Sequence, residues 1–282
     1  MRHFNLFVTI VLSLACITCR TGNSDQQSFQ ASKAFILHDV KYGSDTLNAL
    51  DLYLPDNRNE KTPVVILLHG GGWVKGDKSQ FYTTYAKELF ANGWIIANMN
   101  YRLANDKVNC NDILEDVKSA IVFLKNNSEK YSIPKTKFNL LGYSAGGHIA
   151  LLYAYRDTTN EINSVIAQAG PSNINDLKFK NWLDSTWQSP FIYPQLLGEH
   201  FVLDSKKAKD CSPLYNVKNV PTLLIHGTRD DVVPFEQSLR LRDSLDARKI
   251  KNLFIAVKGA THNLAGQYED SLRKTIRNWI EN

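Results

Sequence analysis

Apolar residues along this chain come in short runs, and runs of two kinds alternate. The stretches 63–69 (PVVILLH), 94–99 (WIIANM), 138–141 (FNLL), 165–169 (VIAQA), 222–226 (TLLIH) and 253–257 (LFIAV) are almost continuously apolar. Strands covered on both faces read this way, because neither side of the pleat meets water. Helical spacing appears between them. Ile113, Leu114, Val117, Ile121 and Leu124 recur at three- and four-residue steps, with Asp112 placed to cap the start. Residues 144–155 (SAGGHIALLYAY) read as a second helix, and 268–280 as a closing one. Near the front, 35–42 and 47–54 flank Gly43-Ser44-Asp45 and predict a hairpin. Such alternation predicts an α/β domain with one mostly parallel central sheet and helices on both faces. Ser172 to Ser212 breaks the rhythm: it is a long irregular insertion carrying Phe179, Trp182, Trp187, Phe191 and Tyr193. An insertion of that length inside a compact domain is expected to be functional, here as a small cap over the site.

Composition changes this picture only at the edges. With 282 residues, 43% hydrophobic and 22% charged, the chain can bury a large core without metal or disulfide support. Its net charge of +5 is scattered, with no Lys/Arg stripe, which argues against a nucleic-acid partner. The N-terminus has its own character. Met1-Arg2-His3 precedes a largely apolar run to Ala15 and then a polar run from Arg20, the pattern of a secretory signal. Ala15-Cys16 also resembles a bacterial lipoprotein cleavage site, with Cys16 or Cys19 as the lipidated residue, and an uncleaved membrane anchor is the bland alternative. Residues 1–19 are therefore expected to be a signal, 20–34 a linker and 35–282 the domain, exported to the periplasm or cell envelope. Export leaves Cys110 and Cys211 in the mature chain. They are either a disulfide closing a loop of about 100 residues or two free thiols. No Cys or His cluster has metal-ligand spacing, so no metal is expected.

The chemistry concentrates at Gly142-Tyr143-Ser144-Ala145-Gly146. A Gly-x-Ser-x-Gly pattern arises by chance about 0.05 times in a chain of this length and composition, so its setting has to add weight. The setting does: a predicted strand precedes it and a predicted helix follows, where the motif forms a sharp elbow that exposes the serine. A serine hydroxyl needs a base to accept its proton. Of the seven histidines, His262 alone lies after the final apolar strand, in a loop at the carboxyl edge of the sheet. His69 and His226 read instead as structural hydrogen-bonders. The acid that orients the base should end the strand TLLIH, where either Asp230 or Asp231 could serve. The chain order serine, aspartate, histidine matches one known arrangement of this triad. After PVVILL, His69-Gly70-Gly71-Gly72-Trp73 offers backbone N–H groups with no side chain in the way, as an oxyanion site requires. The Ala145 N–H would be the second donor.

HGGGWVKGDK at 69–78, NYRL at 100–103, GYSAGGH at 142–148 and HGTRDDVVP at 226–234 resemble the α/β-hydrolase carboxylesterases. The resemblance runs over about residues 35–282 and is nearest to the bacterial feruloyl/acetyl-xylan esterase-like (BD-FAE-type) branch. Hormone-sensitive-lipase-like esterases differ: they carry an Asp before the nucleophile, where this chain has Tyr143, and a DYRLAPE stretch, where it has NYRLAN. The resemblance implies Ser144, Asp230 and His262 as catalytic residues and Gly71, Gly72 and Ala145 as oxyanion donors. It implies no cofactor, and a small-molecule or oligosaccharide ester as substrate. Trp73, Trp182 and Trp187 are the candidate substrate-binding residues. An arylformamidase, a serine peptidase of the same fold and a catalytically silent binding module are the competing functions.

Overall fold

The computed structural model describes residues 33–187, 190–264 and 269–282, without the side chains of 80–84, 187 and 269. The expected signal, and the expected linker through residue 32, thus lie outside the described residues. Eight strands form one sheet: β1 (Phe35–Lys41), β2 (Ala49–Leu54), β3 (Val64–Leu68), β4 (Ile95–Met99), β5 (Phe138–Tyr143), β6 (Ile162–Gln168), β7 (Thr222–Gly227) and β8 (Asn252–Val257). Their order is β1-β2-β4-β3-β5-β6-β7-β8. β1 and β2 form the predicted hairpin and β2 lies antiparallel to β4, while every later pair is parallel. This is the α/β-hydrolase fold, as predicted.

Each central strand divides its side chains between two cores. Val64, Ile66 and Leu68 of β3 face one, with Ile113, Val117 and Ile121 of α2 (Cys110–Asn126) and Ile149 and Leu152 of α4 (Ala145–Arg156). Val65 and Leu67 face the other, with Leu89 of α1 (Lys78–Ala91) and Leu272 and Ile276 of α9 (Glu269–Glu281). Two-sided burial is what made these strands continuous apolar runs.

The start of α2 corrects one expectation. Its N-cap is Asn109, whose side chain accepts from the Asn111 N–H, and Asp112 sits three residues in, accepting the Asn109 N–H at 2.8 Å. Asp112 is the reciprocal half of a capping box and not the cap. Outside the insertion, two of the longer helices had no signature in the apolar pattern. α1 is one; α8 (Glu236–Ala247) is the other, with a buried stripe of Gln237, Ser238, Leu241 and Leu245, half of it polar.

The insertion is more regular than expected. It holds α5 (Leu177–Trp187), α6 (Ile192–Leu197), α7 (Lys206–Asp210) and a 3-10 turn at Pro213–Tyr215. Between α3 (Ser128–Tyr131), which follows α2 directly, and these elements lies the Ser144 region. A buried hydrogen bond and an exposed ion pair join the insertion to the domain. Ser172 Oγ donates to the Gln237 carbonyl at 2.6 Å, and Asp176 pairs with Arg240 of α8. Cys110 and Cys211 are free thiols, both buried. Contact with the Cys211 thiol, together with burial, pushes the Cys110 thiol well up.

Candidate active site

Strand order locates the site before any side chain is considered. The chain leaves β3 toward β4 on one side and returns to β5 on the other, so the carboxyl ends of β3 and β5 open a crevice. The loop after β3 carries the glycines and the turn after β5 carries Ser144. β7 and β8 end beyond β6 and supply Asp230 and His262.

Ser144 is the N-cap of α4 and adopts φ 53° and ψ −120°, a conformation costly for a residue with a Cβ. The contacts around it show why glycines must flank it. A Cβ on Gly142 would lie 2.1 Å from the Gly146 carbonyl oxygen, and one on Gly146 would lie 2.0 Å from that of Leu68. The turn therefore brings the start of α4 against the end of β3. Backbone bonds pin it: Ser144 N–H donates to the Gln168 carbonyl at 2.8 Å, and Ser144 C=O accepts from His148 at 3.0 Å.

The structure brings the three expected residues together. Ser144 Oγ lies 2.9 Å from His262 Nε2, and His262 Nδ1 lies 2.8 Å from Asp230 Oδ2. A carboxylate can only accept, so Nδ1 carries the proton and Nε2 is left to accept from the serine. Asp231 is exposed, whereas the Asp230 side chain is fully buried, which resolves the choice between the two aspartates. Asp230 Oδ1 accepts the N–H groups of Val232 and Val233, both at 2.8 Å. Burial alone would raise its pKa, but hydrogen bonds from His226 and His262 outweigh this and hold it well below the usual carboxylate range. Asp230 therefore stays ionised far below neutral pH.

The loop after β3 is bent at its glycines. Gly71 has φ 121° and Gly72 φ 60°, and a Cβ on Gly71 would lie 2.0 Å from the Lys75 carbonyl oxygen. Ala145 opens α4, so its N–H has no intrahelical acceptor and points out of the helix start beside Ser144. Further along, Asp77 caps α1, Asn100 holds both Asp77 and the Lys78 N–H, and buried Lys78 pairs with Asp51 of β2 at 2.7 Å. The loop is anchored at both ends.

Trp73 corrects a second expectation. It is 1% exposed, with φ 66°, and belongs to the core. Its indole N–H donates to His148 Nδ1 at 3.0 Å, and His148 Nε2 donates to the Cys211 carbonyl at 2.7 Å. The positive φ after the glycines turns the ring inward, so Trp73 bolts the loop to α4 and cannot line a pocket. Trp182 on α5 is 44% exposed. The Trp187 side chain lies outside the described residues, and Phe179 and Tyr193 are buried against each other as core. Two participants were missed in the sequence, and a third, His226, was read only as a structural hydrogen-bonder and proves to hold the acid. His226 Nε2 lies 3.0 Å from Asp230 Oδ2; Tyr143 donates its hydroxyl to the His262 carbonyl at 3.1 Å; and His148 takes the bond from Trp73. The four-residue spacing of His226 and Asp230 was the one legible hint.

A sheet of this order with a serine–histidine–aspartate array at its carboxyl edge defines an α/β-hydrolase. The chain belongs to the BD-FAE family, whose model matches residues 50–245. Esterase LipC of Mycobacterium tuberculosis is 27% identical over 237 residues, covering 79% of this chain and 58% of that protein. The isoprenylcysteine alpha-carbonyl methylesterase ICME of Arabidopsis thaliana is 26% identical over 238 residues, covering 79% and 55%. The chain thus spans little more than half the length of these curated relatives. Among solved structures, a truncated carbohydrate esterase from gut microbiota superposes with TM-score 0.74 and 20% identity, covering 88% of this chain and 97% of that one. An acetyl ester-xyloside bifunctional hydrolase from Caldicellulosiruptor lactoaceticus superposes with TM-score 0.67 and 21% identity, covering 83% and 88%.

The bond from Trp73 makes His148 sensitive to acid. Burial lowers its pKa to about 4, opposed only in part by its bond to the Cys211 carbonyl. Folded His148 therefore stays neutral down to about pH 4, while the unfolded chain takes up its proton near the ordinary value of 6.5. The stability this group protects is fully present above pH 6.5 and is lost as pH falls toward 4, on the order of 3 kcal/mol in all. His148→Gln should start about 1–3 kcal/mol less stable at neutral pH, because a buried bond is lost. Its urea midpoint should then fall less than that of the wild type between pH 6.5 and 4. Parallel curves for the two proteins would disprove this account.

Proposed function

We propose that this protein is a serine hydrolase acting on carboxylic esters. The observation that carries the reading is the unbroken relay from buried Asp230 through His262 to Ser144, next to a glycine loop and an unpaired helix-start N–H. Ester hydrolysis uses each part. As Ser144 Oγ bonds to the ester carbonyl carbon, His262 Nε2 takes the serine proton, and Asp230 stabilises the imidazolium without itself becoming protonated. The carbonyl oxygen gains negative charge and is received by the N–H groups of Gly71, Gly72 and Ala145. The bond to the alcohol oxygen then breaks, and His262 returns the proton to that oxygen. Water repeats the sequence on the acyl-serine and releases the acid. No step calls for a cofactor.

The substrate class we propose is an acylated carbohydrate. The exposed indole of Trp182 supports this, since its flat face suits a sugar ring while its edge stays wet. Two of the similar solved structures are of a carbohydrate esterase and an acetyl ester-xyloside bifunctional hydrolase. Named relatives that are esterases support the ester bond itself. We further propose that the chain is exported and anchored through a lipid on Cys16 or Cys19, on the strength of the signal pattern at residues 1–19.

Three outcomes are expected. Ser144→Ala should lower p-nitrophenyl acetate turnover roughly a thousandfold or more, and should abolish labelling by a fluorophosphonate probe. Labelling of another residue, or undiminished turnover, would end the reading. Trp182→Ala should raise KM for acetylated xylo-oligosaccharides about tenfold and leave that for p-nitrophenyl acetate unchanged. Equal losses on both would show that the indole serves the fold. Intact-mass measurement of protein from the cell envelope should find the N-terminal signal absent and a lipid mass added; a chain retaining Met1 to Ala15 would refute export by this route.

A further inference from the structure

We propose that His226 is a positioning residue for the acid, a second imidazole that fixes the Asp230 carboxylate so that one lone pair stays aimed at His262. The proposal rests on the ester-hydrolase reading above for its consequence in turnover, but its geometry stands by itself.

All four acceptor directions of Asp230 are occupied. Oδ1 takes two backbone N–H groups, of Val232 and Val233, and Oδ2 takes two imidazoles, His262 Nδ1 at 2.8 Å and His226 Nε2 at 3.0 Å. His226 and the Asp230 side chain are both fully buried. Water therefore cannot stand in for a missing donor, and a buried carboxylate left short of one is costly.

The tautomer of His226 follows from its other neighbours. Nε2 also lies 2.9 Å from the Val233 carbonyl, which can only accept, so Nε2 carries the proton and shares it between that carbonyl and Asp230 Oδ2. Nδ1 lies 2.7 Å from Ser238 Oγ of α8 and accepts its hydroxyl proton. Ser238 N–H is itself tied to the Phe235 carbonyl, and Phe235 packs edge-on against the His226 ring at 5.7 Å. The ring is thus held from three sides. α8 reaches the reacting groups through Ser238, His226 and Asp230 in turn.

Two donors converging on Oδ2 also restrict rotation of the carboxylate. With the two backbone donors alone on Oδ1, the group could turn about its Cβ–Cγ bond and lengthen the bond to His262. The second imidazole closes off that rotation. His226 touches no reacting atom, and its part is to hold Asp230.

Two amides separate this role from a packing role. Gln at 226 places its terminal N–H where His Nε2 stands and can reach Asp230. Asn at 226 keeps a polar partner for Ser238 but falls short of Oδ2. His226→Asn should lower kcat on p-nitrophenyl acetate at least tenfold with KM within twofold of wild type, while His226→Gln should return kcat to within threefold. The two variants should melt within a few degrees of each other. The low-field proton resonance of His262 Nδ1–H should shift in His226→Asn and hold its place in His226→Gln. Equal kcat in the two variants, or His226→Asn within twofold of wild type, would overturn the proposal. If wild type neither turns over the ester nor takes a fluorophosphonate, the ester-hydrolase reading fails instead. The low-field resonance then decides alone, and finding it unmoved in His226→Asn would overturn the role of His226.

Discussion

Ser144 occupies a backbone conformation that a residue with a Cβ adopts only at a cost of about 1–3 kcal/mol, and the rest of the site depends on that cost being met. The turn survives because its surroundings leave the chain no alternative. Gly146 lies so close to the Leu68 carbonyl that even a methyl group is excluded, and β5 is held on both sides by parallel partners. Behind the turn, α4 is buried along nearly its whole length, from Ala145 to Tyr155. Burial of that helix against two strands supplies far more than the strain consumes. The serine, only 6% exposed, is held at the sheet edge because everything around it is packed.

Three buried histidines recur as joints in this packing, each using both ring nitrogens or a stacked face. His69 stacks on Tyr101 at 4.2 Å where the glycine loop begins, and the Tyr101 hydroxyl donates to the His69 carbonyl. His148 links that loop, through Trp73, to the insertion at Cys211. His226 links α8 to Asp230. A neutral imidazole suits such places: it donates at one nitrogen, accepts at the other, and brings no charge into a dry core. His262 differs in one respect that matters, because its Nε2 faces the serine hydroxyl at a site that remains partly open to solvent.

How much of this was legible in the amino-acid sequence follows from which interactions are local. Strands buried on both faces are apolar throughout, so β3, β4, β5, β6 and β7 could be read directly, and with them the sheet edge where the chemistry falls. β8, a part-exposed edge strand, was apolar enough to be read as well. The elbow was legible because its steric demand is written in adjacent glycines. α8 was not, since half of its buried stripe is Gln237 and Ser238, whose partners lie at residues 172, 173 and 226, far off in the sequence. Trp73 was misread for the same reason. An aromatic beside an oxyanion loop suits a pocket, and only the positive φ at residue 73 and the distant His148 turn it inward. Asp112 shows a smaller version: the helix begins three residues earlier than its apolar stripe, so a carboxylate that belongs inside the first turn looked like its cap.

The same distinction separates what the fold holds rigid from what it leaves adjustable. Ser144, Asp230 and His262 leave the ends of β5, β7 and β8, strands separated in the sheet by fixed hydrogen-bonding distances. The loop carrying His262 is pressed onto the end of β7 so closely that a Cβ on Gly227 would meet the Ala260 carbonyl oxygen at 2.4 Å. Tyr143, one residue before the nucleophile, then holds the His262 carbonyl, so the base is referred to the serine's own strand. The insertion is joined differently. Its ties, Ser172 to Gln237, Asp176 to Arg240 and Cys211 to His148, fasten its two ends, while Trp182 and Phe191 between them stay exposed. Those outward residues carry no bond of the relay, so they can change without loosening Asp230, His262 or Ser144. The fold thus holds the relay rigid and leaves the outer face of the insertion free to vary.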